Sequence, residues 1–392
     1  MRLLISVFIL LFFFSCKNEV SKNVEISTDS SKVFQANRNA LAINIDAPLN
    51  QLAAAVAGID SITYTLSQFN QLKNEQWYTY ANKMNASWLR YDSLHTLPMT
   101  LWRNKELVYD STHFLFYPFA GADILNAYTL FPDADKYILI GLEPIGSLPD
   151  TSVFSNASKF NAYTSAVNAS LYAILNFSFF RTISMASDFH QKELNGTVHL
   201  LVLFLKRMNL QLVSFNYVAI DANGNEKSFL DYTSLQLDSA LNKGCVIKFT
   251  DGKEIKQVYY FSVDLSDDKL NRNQGLFTYL AKEGSFNTYL KSASYLMHKT
   301  YFSKIRNFIL ANTSQIVQDD SGIPYRFIDS TKWDVQLYGT YSGPIPMFGG
   351  SYQPDFVAAY KAKASLVKPL PFGIGYKYKL GESNLQVIRT KQ

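Results

Sequence analysis

The chain has 392 residues, 47% hydrophobic and 15% aromatic, enough to bury the core of one large domain or two. Its 37 basic and 32 acidic side chains leave a formal charge of +5. No basic run is long enough to form a tract, so nothing in the charge calls for a nucleic-acid partner.

Met1 and Arg2 make a short cationic start. An apolar run over 3–14, broken only by Ser6, leads into Ser15-Cys16. The run is too short to span a bilayer comfortably. A short apolar core ending in a small residue and a cysteine resembles a bacterial lipoprotein signal. The resemblance implies a signal peptide over 1–15, acylation of Cys16 by palmitate or a similar chain, a lipid bilayer as partner through Cys16, and a place in the cell envelope. An ordinary signal peptide or a single anchor helix is the alternative. Acyl chains anchor by burying methylenes, at about 0.8 kcal/mol each. With Cys16 so used, Cys245 is the other cysteine, and the mature chain has no disulfide framework. Residues 16–45, rich in Ser, Lys, Asn and Asp, read as a flexible tether. Residues 46–392 then form a single large α/β domain, or one subdivided near 190–225.

Leu49, Leu52, Ala53, Val56 and Ala57 recur at helical spacing and predict a closely packed helix over 48–59. A longer helical region over 74–102 carries Trp77, Tyr78, Met84, Trp88, Leu89 and Tyr91, and Pro98 breaks or kinks it.

The stretch over 113–149 organises the rest. Phe114–Tyr117 is an apolar, aromatic run of the kind found in buried strands, and Pro118 ends it. Gly121, between Ala120 and Ala122, permits a tight turn. Ile124, Leu125 and Tyr128 recur at helical spacing until Pro132, and 137–142 is a second apolar run closed by Glu143-Pro144. Strand, helix and strand predict a βαβ unit with parallel strands. Ligands of open parallel sheets sit beyond the carboxyl ends of the strands, where Asp123 and Glu143 fall. The layout resembles the first half of a Rossmann-type nucleotide or S-adenosylmethionine site, in which an acidic residue ends the second strand. Only Gly121 stands where the dinucleotide fingerprint needs three glycines. The plainer alternative is that Asp123 caps the helix and Glu143 meets a backbone N–H. The expected fold class is therefore α/β: a Rossmann-like, largely parallel sheet flanked by helices, with an added antiparallel hairpin region.

A second helical region over 154–189 places Tyr163, Val167, Ser170, Leu171 and Ile174 on one face, followed by Phe177, Phe179 and Phe180. Arg181 closes that cluster and either snorkels, pairs with a carboxylate or holds an anionic ligand. A helix over 198–208, a strand over 210–220 and a turn at 221–225 come next. Runs over 245–249 and 255–263 around Asp251-Gly252 form the clearest hairpin, because Asp-Gly supplies positive φ. Cys245 beside Val246 and Ile247 reads as a buried, inert thiol. Asp264, Asp267 and Asp268 read as a solvated turn, without the spacing of a calcium loop; no metal site is expected.

Over 291–316, Ser292, Ser294, Tyr295 and His298 precede a helix with Phe302, Ile305, Phe308 and Ile309 on its apolar face and Arg306 off it. That helix leads toward the adjacent pair Asp319-Asp320. Neighbouring carboxylates raise each other's pKa, so the pair sits in water, meets a cation or meets a ligand. Asp-Ser-Gly at 320–322 resembles the aspartic-protease triplet, but no second triplet occurs and the surroundings read as helix then turn, which rejects that reading. A strand is expected over 333–341. Tyr338, Tyr341, Tyr352 and Gln353 either line a polar, aromatic groove or belong to an ordinary surface loop. A last aromatic strand is expected over 372–378.

Three function classes follow. The first is a tethered binding module for a small molecule, glycan or peptide, with Asp123, Glu143, Gly121, Arg181 and Tyr338 as ligand-binding candidates. The second is a hydrolase or transferase-like enzyme with His298, Asp319 and Asp320 as acid/base candidates. The third is a structural partner of an envelope protein complex. No nucleophile elbow, metal triad or phosphate loop appears, and no cofactor is called for. An exported domain has no ready supply of nucleotide or S-adenosylmethionine. An enzyme would gather Asp123, Glu143, His298 and Asp319 or Asp320 in one pocket; a scaffold would leave them scattered.

Overall fold

The computed structural model describes residues 43–60, 63, 65, 69, 74–107, 112–177 and 194–391. The expected signal peptide over 1–15, Cys16, residues 16–42 of the tether expected over 16–45, Phe179, Phe180 and Arg181 lie outside the described residues. Ile43–Gln392 forms one compact unit. Among the described residues no helix is long and apolar enough to cross a membrane.

Ten strands make one mixed sheet. They are β1 (Phe114–Tyr117), β2 (Lys136–Gly141), β3 (Gln211–Ile220), β4 (Glu226–Phe229), β5 (Asn242–Thr250), β6 (Ile255–Ser262), β7 (Phe286–Leu290), β8 (Thr313–Gln318), β9 (Trp333–Gly339) and β10 (Asn384–Thr390). Their order is β4-β3-β5-β6-β2-β1-β7-β8-β10-β9. The expected βαβ unit is present: β1 pairs in parallel with β2, Leu115 opposite Tyr137, and α4 (Ile124–Leu130) connects them. The expectation of a largely parallel sheet is corrected. Only the middle five strands, β6-β2-β1-β7-β8, pair in parallel. On one side β3, β4, β5 and β6 pair antiparallel; on the other, β10 runs antiparallel between β8 and β9. Strands joined by short turns must reverse, whereas parallel neighbours need a crossover.

Helices cover both faces. Every residue of β1 is buried, and alternation splits them: Leu115 and Tyr117 join one core, Phe114 and Phe116 the other. The first core packs against α1 (Ala47–Val56), α2 (Glu75–Tyr91), α3 (Leu97–Glu106), α4, α5 (Ala157–Phe177) and α6 (Val198–Arg207), through Leu52, Trp77, Trp102, Leu125, Tyr163 and Phe204 among others. α7 (Tyr232–Leu237) adds Leu235. The second packs against α8 (Asp267–Arg272), α9 (Gly275–Lys282) and α10 (Ser303–Asn312), through Leu270, Leu280, Ile305 and Ile309. α11 (Pro354–Ala362) builds a small satellite core with Leu337, Tyr341 and Phe356.

Three other expectations change. Pro98 does not break the helical path. A π-helical turn, Asp92–Thr96, joins α2 to α3, and Pro98 sits in the first turn of α3, where a missing N–H is tolerated. Arg306 is buried: its Nη1 donates to Met297 O at 2.7 Å, and its guanidinium stacks 4.0 Å from the Phe327 ring centroid. Residues 372–378 are not a strand but carry one isolated bridge, Ile374 to Lys377; the final strand is β10.

Candidate functional site

The carboxyl ends of the middle strands converge on a cavity of about 270 Å³. Phe119 and Gly121 reach it after β1, Gly141, Leu142 and Glu143 after β2, and Val263, Asp264 and Leu265 after β6. Ser292, Ser294 and Leu296 close it from beyond β7, with Phe302 behind them. The walls are mostly apolar, and the polar groups are two carboxylates and two hydroxyls. Among the described residues no Lys, Arg or His lines it.

Local sequence explains the shape. After Pro118 the chain turns through Phe119 and Gly121, both at left-handed φ (62° and 56°), and Ala120 N–H donates to Ile140 O at 2.7 Å. Gly141 has no room for a side chain: a β-carbon there would collide with Glu143 Oε2 and come within 3.1 Å of Gly121 Cα. The Glu143 side chain therefore lies over two glycines. Tyr260 of β6 fixes it, donating to Glu143 O at 2.7 Å and reaching Oε2 at 3.3 Å. Asp264 Oδ1 accepts from Ser266 N–H at 2.9 Å.

Asp123 lies at the same sheet edge but does not line the cavity. Its Oδ1 caps α4 by accepting from Asn126 N–H at 3.1 Å. Its Oδ2 accepts from Tyr117 Oη at 2.9 Å and meets Lys291 Nζ at 2.6 Å. This carboxylate occupies the first turn of α4, where a doubly wound site would hold a phosphate.

Asp319 and Asp320 follow β8 and are buried. Asp319 accepts from Ser292 N–H and Ser321 N–H, each at 2.9 Å, and from Ser321 Oγ. Asp320 accepts from Tyr295 Oη at 2.6 Å and from Asn384 Nδ2 at 2.8 Å. Burial first, and the Asp320 carboxylate second, push the Asp319 carboxyl up to about 7. Burial likewise raises Asp320.

These contacts hold an unusual loop. Ser292, Ser294 and Tyr295 all adopt left-handed backbone, φ 53°, 51° and 52°. Such conformations cost non-glycine residues about 1–3 kcal/mol each unless the surroundings impose them. Here Ala293 N–H donates to Ser321 Oγ at 2.7 Å, and Tyr376 Oη donates to Ser292 O at 2.9 Å. With its proton committed there, Tyr376 Oη accepts from Ser294 Oγ at 3.0 Å.

His298 stands next to this loop, and its Nε2 has no hydrogen-bond partner among the described residues. Burial lowers it to about 4, with Arg326 adding to the effect, so it is neutral at pH 7. It does not line the cavity, nor do Asp319 and Asp320. Tyr338 is buried against Trp102, ring centroids 5.0 Å apart, and donates to Glu106 Oε2 at 2.9 Å, outside the cavity lining. Tyr341 and Gln353 are buried too, and Tyr352 is exposed. Of the sequence candidates, the cavity brings together Gly121 and Glu143. Asp123, Asp319 and Asp320 stand behind it. Lys291, Ser292, Ser294, Tyr260 and Leu265 were not foreseen. Reading 286–290 as a strand would have placed the residues after it at this edge.

Among the described residues no group of three or more His, Cys, Asp or Glu could hold a metal ion. The chain matches no protein-family model, and comparison with curated proteins finds no relative.

Proposed function

We propose that the chain is an envelope lipoprotein, anchored to a membrane through Cys16, whose folded unit binds a small and largely apolar molecule bearing hydrogen-bond donors. The cavity beyond β1, β2, β6 and β7 carries this reading, because apolar walls with a few convergent polar groups make a ligand site. Glu143 and Asp264 supply acceptors, and Ser292 and Ser294 supply hydroxyls that serve either way. The finer description, a Rossmann-like domain, draws on strand order. Among themselves the parallel strands run third, second, first, fourth, fifth, the order of the doubly wound nucleotide-binding fold. A phosphate ester fits it poorly: Asp123 fills the first turn of α4 and is answered by Lys291, and among the described residues no basic side chain lines the cavity.

Protein isolated from its native membranes should carry a compound that mass spectrometry detects after extraction. Leu265→Trp, which fills the cavity, should lack it. Equal amounts on the folded variant and the parent would remove the proposal.

A further inference from the structure

The positive charge of the chain is gathered in the segment that builds one edge of the sheet. Residues 324–391, which contain β9, α11 and β10, hold nine Lys or Arg against four Asp or Glu. That excess of five equals the formal charge of the whole chain, so the remainder is balanced. Charge concentrated in one part of a fold draws anions to it.

Within this region a groove of about 370 Å³ runs beside β9 and β10. Lys363, Arg389 and Lys391 line it, and Asp334 is the one carboxylate in its lining among the described residues. Arg389 donates from Nε to Gln315 Oε1 at 2.8 Å and from Nη2 to Glu106 O at 2.9 Å. These neutral acceptors fix the guanidinium without cancelling its charge, and they leave Nη1 with no partner among the described residues. The Glu106 carboxylate itself is taken by Lys368 at 2.7 Å and by Tyr338 Oη. Lys363, half-buried, reaches only the backbone oxygen of Val335, at 3.5 Å. Lys391 Nζ stands 3.7 Å from Asp334 Oδ1 in an exposed pair, a geometry that contributes little. Three cations against one carboxylate leave the lining with a net charge of +2. Trp333, Tyr325 and Ile328 add apolar surface beside them.

We propose that this groove is a second ligand site, which takes the phosphate of a phosphomonoester: Arg389 Nη1, Lys363 and Lys391 meet its oxygens, and the organic part lies against Trp333 and Tyr325. The inference goes beyond the small-molecule reading of the first cavity and does not rest on it, since the two linings share no residue and carry opposite charge. A phosphomonoester bears about 1.5–2 negative charges at pH 7, which matches the lining. A lone carboxylate leaves part of that charge unanswered. A guanidinium already held on two of its nitrogens presents the third at little further cost in entropy, and arginine suits the planar, multiple contacts that phosphate oxygens offer.

The test is isothermal titration with 4-nitrophenyl phosphate, beside the uncharged 4-nitrophenyl glucoside. The parent protein should bind the phosphate with a dissociation constant below about 1 mM, more weakly as salt is raised, and should not bind the glucoside. Lys363→Gln/Lys391→Gln, which removes two solvent-accessible cations and no core contact, should weaken binding about tenfold. Lys379→Gln, an exposed cation outside the groove, is the control for net charge and should bind as the parent does. Leu265→Trp, which fills the first cavity, should also bind as the parent does, so loss of the first reading leaves this one standing. A parent that does not bind the phosphate, a double variant that binds it equally well, or a Lys379→Gln variant that loses as much as the double variant overturns the site. A second arm finds the source of the phosphate. Pelleting of the Cys16→Ala protein with phosphatidic acid vesicles, reversed by 4-nitrophenyl phosphate, places it on a lipid headgroup; binding of the probe without pelleting places it on a soluble molecule.

Discussion

Lys291 Nζ lies 2.6 Å from Asp123 Oδ2, and both side chains are buried. The pair ties the end of β7 to the start of α4, across the point where the parallel strands reverse their order. Lys291→Met leaves the Asp123 charge buried without that partner and should destabilise the fold by about 3–5 kcal/mol. The double variant Lys291→Met/Asp123→Asn should recover much of that loss, because neither charge is then stranded. Urea unfolding of the parent, the single and the double variant measures this. A double variant weaker than the single would show that the pair is not the dominant interaction.

Gly141→Ala should destabilise by about 1–3 kcal/mol, the usual range for overpacking. The new methyl meets Glu143 Oε2 and lies 2.8 Å from Tyr260 Oη, so the carboxylate over the cavity must move. Gly349→Ala, which meets nothing, is the control. Thermal unfolding of the two variants should separate them by several degrees.

His199 makes the protein acid-sensitive. It lies between Tyr163 Oη and Asn195 Oδ1, each at 3.2 Å, and burial pushes its pKa down to about 3. A group whose folded pKa is depressed holds its stabilisation above the unfolded value and loses it as pH falls toward the folded one. The window thus runs from about pH 6.5 down to about pH 3, and the loss is on the order of a few kcal/mol. His199→Gln should flatten the stability profile across this window. An unchanged slope would assign the acid sensitivity elsewhere.

The thiol of Cys245 is buried in β5, and burial pushes it up to about 12. The folded protein should therefore leave it unreacted toward a chromogenic disulfide at pH 8, and one equivalent should appear only on unfolding. Rapid reaction of the native protein would mean that β5 opens locally.

Cys16→Ala should abolish incorporation of a fatty-acid analogue and release the protein from membranes. A variant that still labels would end the anchor proposal.

Local pattern was enough for the elements whose neighbours in space are also neighbours in sequence. The run Phe114–Tyr117, the turn at Gly121 and the helix that follows appear as expected, as does the hairpin around Gly252, because backbone stereochemistry and short-range burial decide them. The capping role of Asp123 belongs to the same group. β7, β8 and β10 escaped notice. Asn287, Thr288, Gln315, Gln318 and Gln386 are buried in them, and such polar residues hide a strand until its partners are known.

By itself the sequence determined the signal-like start, the central strand–helix–strand unit and the acidic residues that follow its strands. The tertiary structure alone decided that Lys291 answers Asp123, that Asp319 accepts from a loop 27 residues earlier, and that Glu143 rather than Asp123, Asp319 or Asp320 lines a cavity. Each of these depends on which strand lies beside which. Strand pairing is a long-range outcome of burial and hydrogen bonding over the whole sheet, and no stretch of the chain encodes it alone.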